Sequence, residues 1–256
     1  MFILLSPAKS LDYESAISYQ NFTIPHFEKE TQKLAKELKK FSPADLEKLM
    51  GISKKLAELN FARFQDFKPK FDLKNSKQAL LVFDGDVYKP IETENFSAKD
   101  FDFAQQHLRI LSGFYGLLRP LDLIQPYRLE MGTDFKKTSA DIKNLYEFWG
   151  DKISQHLDEE CKNNGAKHVI NLASEEYFSA INPKKISAKI INVIFKENKN
   201  GVYKIVGINA KKARGLMTNF IVKNKISDPQ ELKKFKVEKY HFEKAMSDEE
   251  NFTFIR

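Results

Sequence analysis

A chain of 256 residues, 42% hydrophobic and 30% charged, has the composition of a folded soluble protein and can bury a sizeable core. Its lone cysteine, Cys161, excludes a disulfide framework and any cysteine-based zinc or iron–sulfur site within one chain, and suits a reducing cytoplasm. The net charge of +7 is uneven: residues 182–256 hold 17 Lys/Arg against 8 Asp/Glu, so the basic excess lies in the last quarter. Such asymmetry points to an anionic partner or to a solvated lysine-rich face.

No run approaches the eighteen or so apolar residues of a membrane span, and Met1–Leu5 is too short for a signal segment. A cytoplasmic location and no membrane partner are therefore expected. The five histidines form no HxH or HExxH spacing, and there is neither a Walker loop nor a dinucleotide fingerprint, so no metal and no cofactor are expected.

Phe2–Leu5 predicts a first buried strand, leaving through Ser6-Pro7-Ala8-Lys9. Ends of buried strands are common sites of chemistry in α/β folds, which draws attention to Ser6 and Lys9. A Ser-x-x-Lys spacing without further partner motifs is a weak signal of a nucleophile. Phe27–Phe41 reads as an amphipathic helix. Ser42-Pro43-Ala44-Asp45 then starts a helix to about Met50; Gly51-Ile52-Ser53 breaks it, and Ser53 caps another running towards Phe67. Two short helices on a tight turn resemble a helix-hairpin-helix, where glycine admits phosphate to the backbone and the second helix offers free N–H groups. An ordinary αα-hairpin packed on the core explains Leu46, Leu49, Ile52 and Leu56 equally well.

Ala79–Phe83 predicts a short strand leading to Asp84-Gly85-Asp86, whose carboxylates fit either a turn or a Mg²⁺ site, the turn being favoured without a third ligand. Ser97–Asp100 is a capping box opening a helix predicted over Phe101–Leu111. The following segment to Gly132, broken by glycines and prolines, reads as irregular. It is too apolar to lie on the surface throughout, so Arg109, Arg119 and Arg128 are candidates to bond its carbonyls or wall a cleft. Beyond it come a helix over Asn144–Glu160, a strand at His168–Leu172, a helix opening at Ser174 and two longer strands, Ile186–Phe195 and Val202–Ile208. Next is a helix from Asn209 to Ile221, carrying Lys211, Lys212 and Arg214 near its start, where cations oppose the macrodipole unless an anion sits there. Asp228-Pro229 caps a last helix, and Phe252–Ile255 reads as an edge strand.

Eight stretches together resemble the YaaA family of bacterial peroxide-stress proteins: ILLSPAK at Ile3–Lys9, GDVY at Gly85–Tyr88, FDFAQQHLR at Phe101–Arg109, GLLRPLDL at Gly116–Leu123, QPYRLEMG at Gln125–Gly132, FWGD at Phe148–Asp151, VINLAS at Val169–Ser174 and AKKARGLM at Ala210–Met217. The resemblance implies a single domain over residues 1–256 of α+β class, a mixed β-sheet core flanked by helices, with the helix-hairpin-helix near residues 43–67. It also implies a cytoplasmic protein that limits peroxide- and iron-dependent DNA damage and binds DNA through the hairpin and a basic cleft.

Two function classes follow. In the first, DNA is held through phosphates by Gly51, Ile52, Ser53, Lys54 and Lys55, with Lys211, Lys212 and Arg214 lining the cleft walled by Arg109, Arg119 and Arg128. In the second, the chain is an enzyme acting on a nucleobase or nucleotide, with Ser6, Lys9, Asp84, Asp86 and Glu130 converging in one pocket beside Arg109 and Arg128.

Overall fold

The computed structural model describes residues 1–17, 19–136 and 142–256. Its centre is an eight-stranded mixed sheet built from β1 (Phe2–Leu5), β2 (Leu108–Ser112), β3 (Gly116–Leu118), β4 (His168–Asn171), β5 (Lys189–Lys199), β6 (Val202–Lys204), β7 (His241–Phe242) and β8 (Asn251–Ile255). The order is β7-β8-β5-β4-β1-β2-β3, with β6 paired to β5. Five strands from β8 to β2 run parallel, and the antiparallel β7 and β3 close the two edges. Buried on both faces, β1 reads as an unbroken apolar run, and β2 is buried at every residue although it carries Arg109 and Ser112. The sheet is flanked by α1 (Glu28–Leu38), α2 (Pro43–Met50), α3 (Lys54–Asp66), α4 (Ala98–His107), α5 (Lys152–Asn163) and α6 (Gly207–Lys223).

Several predicted elements differ. Ala79–Val82 is one helical turn between two-residue bridges, not a strand; a short apolar run fits either when fully buried. The helix predicted over Phe101–Leu111 stops at His107, where Leu108 turns extended to begin β2, and the stretch after it taken as irregular holds β3. The Asn144–Glu160 helix is interrupted at Gly150, giving Leu145–Trp149 and α5. Phe252–Ile255 lies inside the sheet, because β7 covers its outer edge.

The chirality of the parallel connections fixes where a ligand can enter. From β1 the chain proceeds to β2 on one side, and from β4 it proceeds to β5 on the other. The carboxyl ends of β1 and β4 therefore diverge, and in open parallel sheets this leaves a crevice at the switch point. Among the described residues no helix is long and apolar enough to cross a membrane.

Candidate functional site

Ser6 and Ser174 follow β1 and β4 directly and meet across that crevice: the Ser174 N–H donates to Ser6 Oγ at 2.8 Å, and the two hydroxyls lie 3.2 Å apart. The Tyr88 hydroxyl, wholly buried, donates to the Ser6 carbonyl at 2.9 Å and holds the strand exit in place. Burial pushes the Tyr88 phenol well above its ordinary range, so it remains a donor. Around these serines lies a cavity of about 260 Å³, bounded also by Lys9, Asp84, Asp86, Tyr177, Lys211 and Arg214.

Two glycines assemble its far wall. Gly85 takes φ +141°, outside the ordinary range of L side chains, and its carbonyl accepts the N–H groups of Tyr88 and Lys89, so the Asp84–Asp86 segment is a tight turn. Gly215 lets α6 lie directly on that turn: a Cβ there would fall 2.0 Å from the Val87 carbonyl oxygen. This contact brings Lys211 and Arg214 to the same cavity as the two aspartates.

Beside the cavity, Lys9 pairs with Glu130 at 2.6 Å, Glu130 also pairs with Arg128 at 3.2 Å, and these three side chains border a small pocket of about 10 Å³. Arg128 and Glu130 also line a cleft, a groove of about 550 Å³ that extends to the end of α2 at Lys48–Gly51. Glu176 borders both the cavity and the groove, and its carboxylate accepts the Gly132 N–H at 3.0 Å.

At the groove's rim, Gly51 adopts φ +59° with nothing within 4 Å of where a Cβ would stand, while its N–H and that of Ile52 donate to the Glu47 carbonyl and close α2. Ser53 caps α3 by accepting the Leu56 N–H at 3.4 Å, and Lys54 and Lys55 are exposed in the first turn. The hairpin is anchored from below by Leu46, Ile52 and Ala57 in the core.

Some expected participants lie elsewhere. Arg109 is only 4% exposed and binds Glu160 in a fork, Nε–Oε2 2.7 Å and Nη2–Oε1 2.8 Å, while Nη1 donates to the Gln105 and Leu108 carbonyls. Arg119 pairs with the buried Asp122 and donates to the Ile24 carbonyl. Neither lines the cleft; both tie down backbone, Arg109 because a buried arginine must satisfy its donors nearby and Arg119 through the buried Asp122 and the Ile24 carbonyl. Lys212 faces away, into a separate groove with Lys89, Glu92 and Arg256. The cleft is also not uniformly basic: Lys9, Lys48, Arg128, Lys211 and Arg214 are balanced by Asp84, Asp86, Glu130, Asp134 and Glu176. Ser10, Ser174, Glu176 and Tyr177 escaped the sequence reading. Glu176 reads as an acid complementing a helix start, and only the juxtaposition of β1 with β4 makes it part of a wall.

The architecture is a mixed sheet with a polar crevice at its switch point and a capped helical hairpin beside a neighbouring groove. A family model described as peroxide stress protein YaaA matches residues 1–246, and the chain belongs to that family of peroxide-stress proteins.

Proposed function

We propose that this protein binds DNA in the cytoplasm during peroxide stress, chiefly through phosphates and without strong sequence preference, and thereby limits peroxide- and iron-dependent DNA damage. The observation that supports this most is the hairpin beside the groove, where the space at Gly51 is unobstructed and Lys54 and Lys55 stand exposed at the start of α3. The first N–H groups of a helix have no intrahelical acceptor, and with the dipole they favour an anion. Phosphate contacts fix position and carry no base information. A Lys54→Glu/Lys55→Glu double variant is therefore expected to weaken every duplex alike, by about ten- to a hundredfold at moderate salt. Fluorescence anisotropy with several unrelated duplexes checks this, and a loss confined to one sequence, or none, counts against the hairpin.

A second reading, an enzyme acting on a nucleobase or nucleotide, is favoured by a separate observation. Ser6, Lys9, Asp84 and Asp86, far apart in sequence, border one cavity at the switch point. Glu130 borders a small neighbouring pocket and pairs with Lys9 of that cavity. Among the described residues no three His, Cys, Asp or Glu side chains are grouped to hold a metal ion.

A further inference from the structure

We infer that the cavity between Ser6, the Asp84–Asp86 turn and Arg214 is a binding site for a single nucleotide, its phosphate on Arg214 and Lys211 and its base edge against the two aspartates. This rests on the second reading above and is independent of the hairpin.

The phosphate limb is argued from an arginine without a partner. Arg214 is mostly withdrawn from solvent, its Nε is fully buried, and no hydrogen bond or ion pair engages its guanidinium among the described residues. Burial alone pulls its pKa down, with no carboxylate near enough to offset the cost. An arginine does not deprotonate in a protein, so a partly buried guanidinium with an unpaired, buried Nε is stabilised by an anion or by acceptors from a ligand. Lys211, one turn earlier on the same face of α6, is exposed at the mouth and adds a second cation.

The base limb is argued from the opposite wall. Asp84 has only a long pair to Lys89, at 3.8 Å, and Asp86 has no partner among the described residues. Ionised carboxylates accept only, and they match the amino and ring N–H donors of a base edge. Val87, Tyr177, Pro7 and Ala8 supply apolar surface between the two limbs, and the Ser10 hydroxyl is available to a sugar. A bare phosphate does not fit, because the aspartates repel it, and a divalent cation does not fit beside Lys9, Lys211 and Arg214. At about 260 Å³ the space lies at the small end of ligand cavities, suited to one nucleotide unit rather than two.

A free deoxynucleoside monophosphate and a nucleotide turned out of a DNA strand present the same chemistry, and enzymes that work on bases take them out of the stack. Calorimetric titration of the full chain with the four deoxynucleoside 5′-monophosphates, unphosphorylated deoxynucleosides and inorganic phosphate tests the site. A monophosphate is expected to bind at least tenfold more tightly than either part. Arg214→Met and Asp86→Asn should each weaken it tenfold or more, and Lys54→Glu/Lys55→Glu should leave it unchanged. Lys211→Met, at an exposed position, replaces Arg214→Met if the latter does not fold. In parallel, a duplex carrying 2-aminopurine reports unstacking. Brightening that Asp86→Asn abolishes, with duplex affinity retained, identifies DNA as the source; monophosphate binding without brightening identifies a free nucleotide. Inorganic phosphate binding as tightly as the nucleotide, or neither probe engaging the cavity, overturns the inference. Retained duplex affinity in that event leaves the DNA-binding proposal standing, whereas lost duplex affinity with monophosphate still bound removes that proposal and not this one.

Discussion

Arg109→Met is expected to cost the fold about 3–5 kcal/mol while leaving duplex affinity unchanged, the range seen when one partner of a buried ion pair is removed. Methionine replaces the volume but none of the donors. Glu160 would keep its charge without the fork that now holds it at 2.7 and 2.8 Å, and the Gln105 and Leu108 carbonyls would lose their donor. The guanidinium also packs 4.6 Å from the Phe2 ring centroid, against the first strand of the sheet. Urea unfolding measures the stability loss, and anisotropy at a temperature where the variant is folded measures binding. A cost under about 1 kcal/mol together with a selective loss of DNA affinity would return Arg109 to the functional surface.

The second large effect is at Gly215. Alanine favours a helix interior over glycine by about 1 kcal/mol, so on propensity alone Gly215→Ala should stabilise α6. The close approach reverses the sign. The added Cβ would meet the Val87 carbonyl oxygen at 2.0 Å and its carbon at 3.0 Å, and backbone atoms cannot rotate out of the way. Overpacking of this kind costs about 1–3 kcal/mol, and with the obstacle fixed the upper end applies, for a net loss of about 2 kcal/mol. Helix α6 would also separate from the Asp84–Asp86 turn, pulling Arg214 away from the aspartates. A variant more stable than the parent in urea would show that this contact is not made.

Much of the local structure is legible because its signals are local. The capping box at Ser42–Asp45, Gly51 as a left-handed stop and Ser53 as the next cap define the hairpin, and α2 and α3 begin and end where those residues place them. The charges of the Gln105–Gly132 stretch are half legible. Arg119 with Asp122 and Arg128 with Glu130 are near neighbours in sequence, but Glu160 stands 51 residues from Arg109 and only the packing of α5 beside β2 brings it close. Distance in sequence hides β2 itself as well, since Leu108 pairs with Ile3. Leu108–Ser112 continues the apolar character of α4, and what makes it a strand is the slot beside β1, which no local pattern encodes. The cavity is similar in kind. Ser6 and Lys9 stand out as a strand exit, but their meeting with Asp84, Asp86 and Arg214 depends on the divergence at β1 and β4 and on the absence of a side chain at Gly215. That Lys212 turns aside while Lys211 does not is a matter of helix phase against the sheet.

The charge balance of the cleft sharpens what DNA binding requires. Lys9 and Arg128 are already engaged by Glu130, so the cations left for phosphate are Lys48, Lys54, Lys55, Lys211 and Arg214. If about five phosphates are neutralised, the logarithm of the affinity should fall with the logarithm of salt concentration at a slope of roughly −4 to −5. The most direct measurement is that slope for an arbitrary duplex, taken with the parent protein and with Lys54→Glu/Lys55→Glu. The parent is expected to lose affinity by a few hundredfold between about 50 and 200 mM salt, and the variant's slope to be shallower by roughly 2. A flat dependence, or equal slopes in the two proteins, would contradict phosphate binding at the hairpin.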